Sequence, residues 1–341
     1  MGEGSSLGAF LCSVEKSHKG SRDGSLAALF GSFSAAKKKN GKGGDIMHPK
    51  AKKTSIKIGA SAALATGITL ASRFDLAISS TLAGLKYNGK HFTLDVPTFA
   101  SVLEIIGEWA PSVLAATSAL IFASAGAENC KTEKGKIAAR AGSFIPAMGL
   151  MAYASSKTAE YLDYSLGGVA GRMMFAAFSF AIAAILYLLV GKIPPDIKKK
   201  LFLPAAYTLA ASISVLLTVS VLKTVWGRTR LRDMVDNNSL ENYTPWYKPN
   251  FFAGEYSFPS GHTAHATLVL MLSKWLSGKS AKYRPAVTAV SYGFIALMAF
   301  SRLAAGAHFL SDILFGFLIA LGITEFFKMQ YEKHLTKAVI S

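Results

Sequence analysis

Toward the C-terminal end of the chain, "SRLAAGAHFLSD" sets Ser301, Arg302, His308 and Asp312 in one short stretch. His308 and Asp312 stand four residues apart, the spacing of neighbours on one helix face. A carboxylate so placed can hold one ring nitrogen and aim the other outward as a nucleophile. A lone histidine is more often structural, but here an arginine lies six residues ahead of an oriented His–Asp pair. Earlier, "SFPSGHTAHA" puts Pro259, Ser260, Gly261 and His262 at the start of an apolar run. Pro259 suits a first helical turn, Ser260 can cap it, and Gly261 lets an anion approach the open backbone N–H groups. His262 then projects beside that anion, placed to carry a proton. His265, three residues deeper, reads as a helix-packing polar residue. A third stretch, "KTVWGRTR", separates Lys223 from Arg230 by six residues, with Arg228 between them and Arg232 just beyond. Taken alone, such a cluster describes side chains snorkelling from a helix end.

The elements that must position these residues are membrane helices. Hydrophobic residues make up 51% of the 341 and charged residues only 17%, and the mean hydropathy is +0.34, a polytopic composition. The net charge of +17 sits in short clusters between apolar runs rather than on one face, which argues for membrane topology and against a nucleic-acid partner. Cys12 and Cys130 are too few and too far apart for a disulfide framework or a thiolate metal site. Residues 1–54, with "AKKKNGKGG", read as a disordered basic segment. From Met47 the chain reads as an ordinary prelude to a first span, which makes Met47 an alternative start.

Spans need about 20 residues, and eight uncharged runs qualify as candidates. They lie at Lys57–Arg73, Glu108–Glu128, Arg140–Lys157, Arg172–Lys192, Leu201–Leu222, Phe258–Ser273, Pro285–Ser301 and His308–Phe327. The first and third are short and rich in Ala, Gly and Ser. The expected class is therefore an all-α polytopic helix bundle of about eight spans over residues 55–328, with 329–341 as a cytoplasmic tail. The N-terminal segment, "CKTEKGKIAAR", "GKIPPDIKKK", "KWLSGKSAKYR" and "KMQYEKHLTK" are the basic loops, and eight spans put all of them, with both termini, in the cytoplasm. The three motif stretches then share the extracytoplasmic face. There the basic cluster at 223–232 runs against the positive-inside trend, and an anionic ligand supplies a cause.

Lys-x6-Arg, Pro-Ser-Gly-His and Ser-Arg-x5-His-x3-Asp, in this order over residues 223–312, resemble the signature of the type 2 phosphatidic acid phosphatase superfamily. "WGRTR", and "YTPWY" ahead of "FPSGH", extend the resemblance toward bacterial membrane members, over most of residues 55–328. One departure is Leu231, where the family carries Pro. The resemblance implies a metal-free, cofactor-free phosphatase of a membrane lipid phosphate in a bacterial plasma or inner membrane. His308 would be the nucleophile, Asp312 its orienting carboxylate and His262 the general acid. Lys223, Arg230, Arg302 and the backbone around Ser260 and Gly261 would bind phosphate. Undecaprenyl diphosphate, phosphatidylglycerol phosphate, phosphatidic acid and lipid A phosphates all fit as substrates, with location favouring undecaprenyl diphosphate or a related lipid phosphate. Alternatives from other classes are an enzyme like the vanadium-dependent haloperoxidases, which share the anion cage, and a catalytically silent transporter or scaffold.

Overall fold

Apolar runs of this length can satisfy their backbone in lipid only as helices, and the computed structural model is built from them. It describes residues 49–128, 130–161 and 168–340, so most of the segment 1–54 lies outside the described residues. Helix α1 spans Pro49–Leu82, α2 Thr98–Ala127, α3 Glu133–Tyr161, α4 Gly168–Gly191 and α5 Pro195–Trp226. After the short α6, Leu231–Asp236, come α7, Gly261–Thr267, and α8, Leu272–Trp275. Helices α9, Arg284–Ala304, and α10, Leu310–Ile340, close the chain. A two-stranded hairpin of β1, Lys86–Tyr87, and β2, Phe92–Thr93, pairs antiparallel between α1 and α2. Residues Leu64–Leu335 form one compact unit, which contains every candidate site residue discussed below.

The all-α class is as expected, but several helix assignments change. Among the described residues, five helical segments are long and apolar enough to cross a membrane: Thr98–Ala127, Val169–Gly191, Pro195–Trp226, Gly278–Ala304 and Leu310–Lys337. Helices α1 and α3 are long, 34 and 29 residues, yet are not among these five. The expected span at 258–273 is instead a helical path from Gly261 to Trp275, tightened to a 3-10 turn at Leu268–Met271. It is shorter than a bilayer crossing requires. Its apolar side chains sit inside the protein: Ala264, Leu268 and Met271 pack with Leu114 of α2, Val215 and Val219 of α5 and Ala320 of α10. Finally, α2 begins ten residues before Glu108, which was expected to bound a span. Both Glu104 and Glu108 are therefore buried within α2. The expected tail at 329–341 continues α10 as helix to Ile340.

Local chemistry explains the helix ends that matter. α5 stops because Gly227 takes the left-handed conformation, φ 60°, with its N–H turned back to the Lys223 carbonyl. A side chain there would also meet the Asn250 carbonyl oxygen at 2.0 Å. α6 starts at Leu231, the first-turn position where proline is tolerated best. The departure from the family pattern thus costs no backbone geometry. Leu231 is fully buried with Ala83, Met234, Val235 and Phe309, under the hairpin residues Phe92 and Leu94.

Candidate active site

Backbone hydrogen bonds tie the three motif stretches to one another. Ser257 N–H donates to the Arg228 carbonyl at 2.8 Å, Arg232 N–H to Gly306 at 2.9 Å, and Ser260 N–H to Asp312 at 2.9 Å. Aromatic packing supports the same junction: Trp226 stacks on Phe258 at 4.5 Å, and Phe258 and Trp246 both meet Phe315. Close approach of α10 depends on Gly316, where an added Cβ would lie 2.5 Å from the Ser260 carbonyl oxygen. This explains why residues separated by up to 89 positions in the sequence arrive in one place.

Lys223, in the last turn of α5, donates from Nζ to the Tyr256 carbonyl at 2.5 Å. It lies within electrostatic reach of Arg230 and Asp312. Its Cε is 3.4 Å from where a Cβ on Gly261 would stand, so a side chain at 261 would crowd the lysine. Arg302 is fully buried and donates from Nη2 to the Ala100 carbonyl at 2.6 Å, with Nη1 3.1 Å from Glu104 Oε1. Arg230 Nε, Arg302 Nη1 and His308 Nδ1 are buried without a hydrogen-bond partner. Buried polar atoms nearly always find partners in folded proteins; Arg302 Nη1 and His308 Nδ1 face the carboxylates of Glu104 and Asp312 at ion-pair distance, which leaves Arg230 Nε as the one of the three with unmet polar capacity.

His308 differs from the sequence reading in its setting. It sits in the turn before α10, not on the helix, and its Nδ1 is 3.8 Å from Asp312 Oδ2, an ion-pair approach rather than a hydrogen bond. Asp312 is instead held by others. Its Oδ1 accepts from Arg228 Nη1 at 2.6 Å, and its Oδ2 from Ser257 Oγ at 2.6 Å and the Phe309 N–H at 2.9 Å. Arg228 in turn reaches Asp75 Oδ2 at 2.9 Å and lies 4.1 Å over the Phe309 ring. All three charged groups of this Asp75–Arg228–Asp312 series are essentially buried.

Pro259 precedes the helix instead of occupying its first turn, and its peptide bond with Phe258 is cis. Ser260 is the N-cap, accepting from the Thr263 N–H, and is fully buried. With its own N–H given to Asp312, Ser260 shapes the turn, while Gly261 and His262 open the helix and have no carbonyl one turn back within it. His262 lies within electrostatic reach of Arg302, His308 and Lys223. Its Nε2 is 3.2 Å from the Glu104 carbonyl oxygen and 3.4 Å from Glu108 Oε1. His265 also senses Lys223.

The residues that the motif reading missed are Asp75, Glu104, Glu108 and the buried role of Arg228. The available signal was the pair of acids four residues apart in an apolar helix, since intramembrane carboxylates are rare and point to partners. Glu104 also pairs with Arg232 Nη1 at 3.2 Å. Together with Arg232 it lines a cavity of about 630 Å³ that His91 and Asn238 also border.

A helical integral membrane protein with two histidines, flanking carboxylates and a set of buried cations defines the class. The PAP2 superfamily profile matches residues 202–335, so this region of the chain is similar to the type 2 phosphatidic acid phosphatase superfamily. Phosphatidylglycerophosphatase B of Bacillus subtilis (strain 168) is 31% identical over 107 residues, 30% of this chain and 52% of that protein. The chain thus matches about half the length of that curated relative. No solved structure matches it.

Proposed function

We propose that the protein is an integral membrane lipid phosphate phosphatase acting through a phosphohistidine. The observation that carries this reading is the gathering of cations on the two histidines, Lys223 and Arg230 acting on His308 and Arg302 and Lys223 on His262, with Arg230 Nε a buried donor that an anion would satisfy. With Nδ1 turned toward Asp312, the free nitrogen of His308 is Nε2. It attacks phosphorus, and the bond from phosphorus to the lipid oxygen breaks as His262 gives that oxygen a proton. Water then cleaves the phosphorus–nitrogen bond, returning a proton to His262 and releasing inorganic phosphate. Charge on the transferring oxygens is met by the fixed cations and by the N–H groups of Gly261 and His262. This cage supplies the positive charge that a metal would otherwise bring, so the activity is metal-independent.

The substrate class is an amphipathic lipid phosphate: phosphatidylglycerol phosphate, as the name of the relative suggests, undecaprenyl diphosphate, phosphatidic acid or a lipid A phosphate. The basic loop "GKIPPDIKKK" ahead of α5 supports a cytoplasmic start for that span and hence a site on the extracytoplasmic face. Two cytoplasmic termini of an eight-span chain require, in addition, that the 258–273 segment, α1 and α3 all cross. The deciding experiment is phosphate release by purified protein in detergent across this panel, with chelator present. Turnover of at least one lipid phosphate is expected. No release from any, or loss on chelation with rescue by one metal, overturns the reading. Sidedness is tested with a single cysteine at the exposed Glu241, in the loop between α6 and α7. It should react with an impermeant thiol reagent on intact cells, and protection there places the site inside.

A further inference from the structure

We infer that Glu108 is the positioning carboxylate of His262, making the proton donor a second histidine–carboxylate pair that is contributed from outside the matched superfamily region. The inference rests on the reading of His262 as the general acid. Glu108 belongs to α2, whereas the superfamily match begins at residue 202.

The geometry of α2 is shaped for the ring. Glu104, Gly107 and Glu108 lie along one face of the helix, three and four residues apart. A Cβ on Gly107 would come within 2.4 Å of His262 Cδ2, so only a glycine leaves room for the imidazole against the helix backbone. The ring then presents Nε2 to the Glu104 carbonyl and to the Glu108 carboxylate. Nδ1 is the nitrogen left for the substrate.

Glu104 and Glu108 are distinguished by their partners. Glu104 is shared between two guanidinium groups, Arg302 and Arg232. Among the described residues, the cationic partner of Glu108 within ion-pair distance is His262, and its Oε1 also accepts from Tyr161 Oη at 3.0 Å. Glu108 is 7% exposed, and an acid so placed in a membrane helix is costly unless it answers a charge. The surroundings of His262 supply the need. Burial first, and then the positive charge of Arg302, His308, His265 and Lys223, oppose the protonated ring that a general acid must present. A carboxylate beside Nε2 offsets that opposition and fixes the ring orientation.

The proton count closes. In the protonated state Nε2–H faces the Glu108 and Glu104 oxygens, and Nδ1–H faces the leaving oxygen. As the phosphorus–oxygen bond breaks, the Nδ1 proton moves to the alkoxide, leaving neutral imidazole with Nε2–H still held. In the second step Nδ1 accepts a proton from the attacking water, which restores the starting state.

The test compares an alkyl phosphomonoester with a nitrophenyl phosphomonoester carrying the same chain, because the poorer leaving group depends on protonation and the better one does not. Glu108→Gln is expected to lower the alkyl-to-aryl rate ratio roughly 10- to 100-fold, the effect typical of losing an outer carboxylate that orients a functional histidine. Glu108→Asp should lower it less, and it serves if the glutamine variant fails to accumulate. His262→Ala should lower the ratio further. Equal losses on both substrates, or no loss on either, with both Glu108 variants overturn the inference. If His262→Ala itself leaves the ratio unchanged, the assignment of His262 as the acid fails instead.

Discussion

Asp312 is gripped by a guanidinium, a hydroxyl and a backbone N–H before it reaches His308, while Glu108 meets the hydroxyls of Tyr161 and Tyr153, the more distant charge of Lys157, and His262. The half proposed to carry the nucleophile is therefore locked by a buried charge series, Asp75–Arg228–Asp312, in which one cation serves two acids. The half proposed to carry the proton donor rests on steric fit against Gly107 and on two oxygens of α2. The difference separates two requirements. A nucleophile needs one fixed approach to phosphorus, whereas an acid must change charge during each turnover, which a dense network of fixed ions would resist.

The largest effect should come from the reacting groups themselves. His308→Ala is expected to abolish turnover, and His262→Ala to lower it by roughly 10²- to 10⁴-fold, with both proteins inserted normally. Steady-state phosphate release measures both, and wild-type rates in His308→Ala would break the division of labour. Next, Arg228→Met leaves Asp75 and Asp312 buried without their shared cation. A loss of about 3–5 kcal/mol is expected in denaturant melts of the detergent-solubilised protein. Glu108→Gln should change stability by about 1 kcal/mol or less, since the amide oxygen still accepts from Tyr161. Equal destabilisation by the two changes would erase the contrast between the halves.

Gly107→Ala sharpens the same contrast from the steric side. The added methyl would overlap His262 and come within 3.1 Å of Met298, so the ring must move. Turnover is expected to fall by about 10²-fold, as for a misplacement near 1 Å, while stability falls by about 1–3 kcal/mol from overpacking. An unchanged turnover would mean that the ring position does not limit protonation. The smallest effect is reserved for Leu231→Pro, which restores the family residue at the first turn of α6. Stability should change by about 1 kcal/mol at most in either direction, since the rigid ring suits the turn but the buried leucine packing is lost. Activity should stay near the wild-type level, read from the same phosphate-release assay.

Local spacing determined a good deal. Lys-x6-Arg, Pro-Ser-Gly-His and Ser-Arg-x5-His-x3-Asp each lie within a dozen residues, so side-chain type and order alone singled out Lys223, Arg230, His262, Arg302, His308 and Asp312 as candidates. Hydropathy likewise determined the helical class, because lipid leaves the backbone no other economical way to pair its polar groups. Charge used as a boundary marker misled where charge is buried and paired inside the bundle. Glu108 ended a span on paper, yet stands inside α2 because a cation cluster in the interior of the bundle accommodates acids there. The 258–273 run looked like a span by composition, but its apolar side chains are covered by α2, α5 and α10 rather than by lipid, a distinction that hydropathy cannot make. Tertiary structure alone decided that Arg228 turns inward between Asp75 and Asp312, and that Gly107 and Glu108 receive His262. Those partners lie 153, 84, 155 and 154 residues apart in sequence, and no local pattern encodes which distant helix face will pack against a given ring or guanidinium.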